Sequence, residues 1–144
     1  MIGIIITGHG NFGDGIKSSL DLIAGNQENL KIVNFDGNGT DKLTADLKQA
    51  MEEMKECNGI LVFSDLPGGS PFKIAVESSV DYPNVRVIAG TNLPMVCEIA
   101  MARSFIDDVD QLLDMAINAG KDAIMKWETP KAAPKEDDDF SDGI

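Results

Sequence analysis

The sequence predicts an α/β domain built on an open, mainly parallel sheet of four strands in the order 2-1-3-4, with helices on both faces. Three observations carry this. Short unbroken apolar runs recur along the chain, the pattern of strands buried on both sides. They alternate four times with segments of helical periodicity, which is the signature of β-α-β units. Each run stops abruptly at a turn, most of them rich in glycine, as a tight strand-to-helix connection requires.

The first run, residues 4–6, lies within IGIIITGHGNFGDG and stops at Thr7-Gly8-His9-Gly10, with Gly13 and Gly15 following. Ile16, Leu20, Ile23 and Ala24 then fall at helical spacing, and Gly25-Asn26 ends that helix. Residues 30–35, LKIVNF, read as the second strand, closed by Asp36-Gly37-Asn38-Gly39. Thr40 is placed to cap a long helix whose inner face is Leu43, Leu47, Ala50, Met51 and Met54, broken at Asn58-Gly59. Residues 60–63 form the third strand. Ser70 followed by Pro71 reads as an N-cap and a first helical proline, and Asp81-Tyr82-Pro83 ends the helix they open. The fourth strand is 85–89, with Gly90 at its carboxyl end. Asn92-Leu93-Pro94-Met95 opens a helix reaching about Arg103. A last helix covers about 109–119, with Gly120 expected to stop it, and residues 123–127 read as either a fifth strand or a terminal helical turn.

Connections between parallel strands are right-handed. With the second strand on one side of the first and the third on the other, the order becomes 2-1-3-4. The switch point then falls between strands one and three, at the edge where such sheets handle ligands. The carboxyl ends of those two strands carry His9 and Asp65.

A chain of 144 residues is one domain, large enough to bury a proper core, and 43% hydrophobic with 25% charged residues is a soluble globular mixture. The net charge of -12 argues against nucleic acid and anionic membranes, and favours a partner with a basic patch. From Lys131 onward two lysines face five acids, so -3 belongs to the tail and -9 to the body. Residues 1–129 are therefore expected to be the domain, and 130–144 an acidic tail containing Pro and Ala. Cys57 and Cys97 show no CxxC spacing and no histidine companions, which suits a reducing cytosol better than a disulfide or a zinc site. No stretch approaches the roughly 18 apolar residues of a membrane span, and the N-terminus lacks a basic n-region. The expected location is cytoplasmic.

His9 is the only histidine in the chain, flanked by two glycines at a strand's carboxyl end, and histidine is the residue type suited to chemistry near neutral pH. Asp65 is its natural partner: a carboxylate accepting from Nδ1–H would fix the tautomer and leave Nε2 as a nucleophile. Ser70 and the amides of Gly68 and Gly69 form a polar cluster at a helix start, suited to an anion such as phosphate. Residues Gly8 to Gly13 also spell GxGxxG, with Asp36 about twenty residues on, so a small dinucleotide-binding domain is an alternative. Against it, four strands make about half of a classical dinucleotide fold. No P-loop motif is present, and no metal or cofactor is expected. One nucleophile, an orienting acid and an anion-friendly loop suffice for phosphoryl transfer, with proteins as both donor and acceptor.

Three blocks carry a resemblance to a known family: Ile5-Ile6-Thr7-Gly8-His9-Gly10; Phe63-Ser64-Asp65-Leu66-Pro67-Gly68-Gly69-Ser70-Pro71-Phe72; and Ala89-Gly90-Thr91-Asn92-Leu93-Pro94-Met95, continuing to Glu98 and Met101-Ala102-Arg103. In these the chain resembles the enzyme IIA component of the bacterial sugar phosphotransferase system (PTS), mannose type, over about residues 1–127. The resemblance implies that His9 is phosphorylated through Nε2, with Asp65 orienting it and Ser70 near the phosphoryl group. It implies HPr as donor and enzyme IIB as acceptor, with sugar phosphorylated at a membrane permease. It further implies a 2-1-3-4 sheet in a homodimer whose C-terminal strand crosses to the partner, making residues 123–127 the exchanged strand and Trp127 an interface residue. Some relatives place Thr directly before the histidine, where this chain has Gly8. Some continue through an Ala/Pro linker into a IIB domain, whereas here an acidic end follows residues 131–135, and a free-standing IIA subunit is expected. Some family members regulate a partner instead of transporting, so a regulatory module using the same phosphohistidine is the other alternative. Sugar specificity belongs to the membrane component.

Overall fold

The computed structural model describes residues 1–131. Its elements run β1 (Ile2–His9), α1 (Phe12–Ala24), β2 (Leu30–Phe35), α2 (Asp41–Glu53), β3 (Gly59–Ser64), α3 (Ser70–Ser79), β4 (Val85–Ile88), α4 (Leu93–Ala102) and α5 (Val109–Asp122). The four strands form one parallel sheet in the order β2-β1-β3-β4. The class expected from the alternating pattern is the one found, and the order is the one expected with strands two and three on opposite sides of the first.

Seven of the eight residues of β1 are buried, and only its last, His9, is exposed. The pleat sends alternate side chains to opposite layers. Ile4 and Ile6, with Leu61 and Phe63 of β3, pack on Leu20, Val96, Ile99 and Leu112 from α1, α4 and α5. Ile5, Val33 and Val62 pack on Leu43, Leu47, Met51 and Ala75 from α2 and α3. Each fully buried Ile or Leu contributes roughly 1.5–3 kcal/mol, so β1, flanked on both edges and both faces, anchors the domain.

Several local expectations are corrected. Thr40 makes no side-chain cap; its carbonyl instead receives the amide and hydroxyl of Thr44. Ser70 is the first residue of α3, and Gly69 stands at the cap position. The side chains that do cap are Asn92, accepting from the Met95 amide, and Asp108, accepting from the amides of Asp110 and Gln111. Gly120 does not stop α5 but lies buried inside it against Met95 of α4, whose Cε end occupies the place a Cβ would take. The fourth strand ends at Ile88, one residue early. Neither reading for residues 123–127 holds over its length: Ala123 closes the end of α5 by donating to the Ala119 carbonyl, and residues 124–130 are irregular. The expected tail lies, from residue 132 on, outside the described residues.

Arg103 is only 3% exposed and fastens the end of the sheet opposite His9. Its guanidinium donates to the carbonyls of Ile2, Glu28 and Asn29 and to the Gln27 side chain. Asn29 sits in the left-handed region (φ 50°), and its carbonyl also receives the Ile4 amide at 2.9 Å. Burial lowers the Arg103 pKa from its ordinary value, and the carbonyl acceptors replace the water it has lost. Among the described residues, no helix is long and apolar enough to cross a membrane.

Candidate active site

Because β1 pairs with β3 in a register that sets Thr7 beside Ser64, the next residues of both strands emerge together at the carboxyl edge. The expected partners meet there. Asp65 Oδ2 accepts the His9 backbone N–H at 2.8 Å and lies 2.8 Å from the ring's Nδ1. Asp65 Oδ1 accepts the Leu66 amide at 2.7 Å. The Asp65 carbonyl receives the Gly90 amide, tying this corner to the start of the loop before α4.

Burial by itself would raise the Asp65 carboxyl. The N–H groups of His9 (amide and ring) and of Leu66 outweigh it and hold the carboxyl below its ordinary value of 3.8. An ionised carboxylate can only accept, so the pairing places the ring proton on Nδ1 and leaves the lone pair of the neutral ring on Nε2. The Asp65 side chain is 12% exposed and that of His9 46%. The acid is sheltered while the ring is open.

Two further groups touch the imidazole. Phe35, paired with His9 across β1 and β2, makes a T-shaped contact at 5.6 Å between ring centroids. Its carbonyl accepts the Gly10 amide at 2.7 Å, and Gly10 turns the chain away at φ 58°. Gly69 lies so close to the ring that a Cβ on it would come within 2.8 Å of His9 Cε1 and 3.6 Å of Nε2. The first turn of α3 therefore stands beside Nε2, with Ser70 next in the chain and Gly68 making the preceding turn at φ 84°.

The sequence brought His9, Asp65, Gly68, Gly69 and Ser70 into one group, and the structure places all five at this edge. It did not identify Phe35. The available signal was an aromatic residue closing the second strand at the same edge as the histidine, but the register that joins them is a tertiary fact. Thr7, two residues before His9, is fully buried, and among the described residues its hydroxyl has no hydrogen-bond partner.

Of the GxGxxG glycines, Gly10 is explained by its turn and the other two by packing. A Cβ at Gly8 would strike the Phe12 side chain, and one at Gly13 would strike Ile32 and crowd the Ile6 carbonyl. Both let α1 lie close on the sheet. The cleft beside the His9 turn, lined by Asn11, Asn34, Asp36 and Lys42 among others, measures about 250 Å³. Pockets that enclose small ligands run to roughly 300–1,000 Å³. Among the described residues no group of three or more His, Cys, Asp or Glu side chains is arranged to hold a metal.

Comparison with known proteins gives consistent results. Residues 3–117 match the family model EIIA-man, described as PTS system fructose IIA component. The chain is 31% identical over 137 residues to the mannose-specific EIIAB component of Escherichia coli K12, covering 92% of this chain. It spans only 42% of that relative's length. The crystal structure of a phosphotransferase system EIIA component from Streptococcus agalactiae superposes with a TM-score of 0.77 at 40% identity, covering 88% of this chain and 97% of the other. The mannose/sorbose-specific IIA subunit from Enterococcus faecalis superposes with a TM-score of 0.82 at 29% identity, covering 91% and 98%.

Proposed function

The chain belongs to the mannose-type EIIA family of the sugar phosphotransferase system, and on that basis we propose that it is a phosphoryl carrier that holds the group on Nε2 of His9. One observation carries the assignment to this atom: an exposed ring whose Nδ1 lies 2.8 Å from a sheltered carboxylate, leaving Nε2 as the free nucleophile. The Nε2 lone pair attacks the phosphorus of the donor's phosphohistidine. The new N–P bond forms as the donor's N–P bond breaks, and that electron pair returns to the donor's ring. Asp65 keeps its charge throughout and offsets the positive charge of the substituted imidazole. Delivery to the acceptor is the same exchange in reverse.

Ser70 and the amides of Gly68 and Gly69, at the positive end of the α3 dipole, receive the phosphoryl oxygens. HPr is the donor and enzyme IIB the acceptor, with the membrane permease downstream. Leu66, 59% exposed on the loop directly after Asp65, offers such partners an apolar contact beside the site. The carrier domain is residues 1–129, working in the cytoplasm, with 130–144 as its tail. It works as a homodimer. Exposed Ile124, Met125 and Trp127 after α5, and the outer edge of β4 in the sheet, support that assembly.

The test is direct. Incubation with phosphorylated HPr is expected to add one acid-labile phosphoryl group by intact mass, and His9→Ala to abolish it. A mass gain that persists in the mutant removes His9 from the role. Light scattering on the purified protein is expected to give twice the protomer mass, and a protomer mass would defeat the dimer.

A further inference from the structure

We propose that Gly69 and Phe35 are positioning residues that hold the His9 imidazole with Nε2 turned outward, and that residue 69 is glycine to make room for the ring. This rests on His9 being the phosphoryl carrier.

The backbone at Gly69 has φ -75° and ψ 165°, an extended conformation open to any residue. The turn itself therefore does not demand glycine there. Gly68 differs, since its φ of 84° lies where glycine is favoured. What excludes a side chain at residue 69 is the imidazole, because a Cβ would stand 2.8 Å from Cε1, closer than real contacts allow. The ring and the start of α3 are fitted to each other at the atom that lies between the two ring nitrogens.

Phe35 restricts the ring through a different contact. Rotating the imidazole by half a turn about its Cβ–Cγ bond would break the bond to Asp65 and exchange Nε2 with Cε1 as the outward atom. Asp65 alone opposes this with one bond to a ring that is 46% exposed. Phe35 makes a T-shaped contact with the ring at 5.6 Å, and is itself fixed by its strand pairing and its carbonyl bond from Gly10. Phosphoryl transfer is mostly positioning, so small displacements of the nucleophile cost much rate.

The experiment uses the full chain, phospho-HPr as donor, and nitrogen-15 NMR of the ring, which has no overlap because the protein has one histidine. Gly69→Ala and Phe35→Leu are expected to slow transfer by about 10–100-fold. Both are expected to shift the neutral ring from its Nδ1–H form toward the Nε2–H form. Phe35→Tyr, which keeps the ring, is expected to restore both readouts. Gly15→Ala, where a methyl group meets nothing within 4 Å, serves as the control at wild-type rate. Folded Gly69→Ala and Phe35→Leu proteins with wild-type rate, or with a slowed rate and an unchanged ring spectrum, overturn the proposal. If wild-type protein takes up no phosphoryl group, the carrier reading fails by itself, and the ring spectra still decide whether these residues hold the imidazole.

Discussion

Asp65 Oδ2 receives both polar hydrogens that His9 can direct inward, the backbone N–H and the ring Nδ1–H, each at 2.8 Å. A single oxygen thus fixes the end of β1 and the tautomer of the ring together. Asp65→Asn keeps an acceptor for the amide but loses the charge that balances a substituted imidazole. It is expected to fold normally and to slow phosphoryl uptake roughly 10–100-fold, the range seen when the group orienting a functional histidine is removed. Quench-flow with phospho-HPr measures this, and an unchanged rate would discard the orienting role.

The same carboxylate should leave a trace in acid stability. Its pKa in the folded protein is below the 3.8 expected of the unfolded chain. Its contribution is therefore complete above about pH 4 and is lost as pH falls through the folded value. Urea denaturation of wild type and Asp65→Asn at stepped pH is expected to show the largest difference above pH 4, shrinking below it. A gap that widens toward acid would contradict the sign.

Transfer should respond to pH through the other partner. A protonated imidazole has no lone pair on Nε2, so uptake is expected to fall as the ring protonates in acid. With one histidine in the chain, the ring's NMR titration supplies the curve that the rate has to follow. A rate profile that departs from it points to a different nucleophile.

Two helical glycines are expected to answer to alanine to different degrees. At Gly15 in α1 a Cβ meets open space, so Gly15→Ala is expected to stabilise by about 0.5–1 kcal/mol. At Gly120 in α5 the Cβ meets the flexible Cε end of Met95, which has to turn aside, so Gly120→Ala is expected to gain less than Gly15→Ala. Thermal melts of the two variants give the comparison, and a Gly120→Ala melt above that of Gly15→Ala would contradict the ordering.

Arg103 is expected to matter to folding and not to chemistry. Arg103→Ala leaves the carbonyls of Ile2 and Glu28 without their donor and is expected to cost about 2–4 kcal/mol. Arg103→Lys is expected to recover little, since an ammonium cannot span the same fork of acceptors. Folded protein of either variant should still take up phosphoryl at the wild-type rate, because His9 stands at the other end of β1. A slowed rate in fully folded protein would show that the two ends communicate.

Much of this was legible in the sequence because the strands are buried on both sides and so appear as plain apolar runs. The alternation gives the class; with strands two and three on opposite sides of the first, the ends of strands one and three adjoin, and His9 and Asp65 followed from that. Caps were harder to read. Thr40 and Ser70 have suitable side chains, yet Thr40 is already in a helical conformation and Ser70 is inside α3, so neither hydroxyl is placed to cap. Asn92 and Asp108, with extended backbones, do the capping. Gly120 looked like a stop because sequence carries no record of the neighbouring helix, whose Met95 needs that space. Phe35 was invisible as a neighbour of His9 for the same reason: contact across a sheet edge depends on register, and register is set by the whole domain.

β1 stays enclosed for seven residues and surfaces only at its eighth. On the proposed carrier role, the charge gained and surrendered sits at that outermost position, outside the apolar layers, so loading and emptying ask nothing of the buried interior.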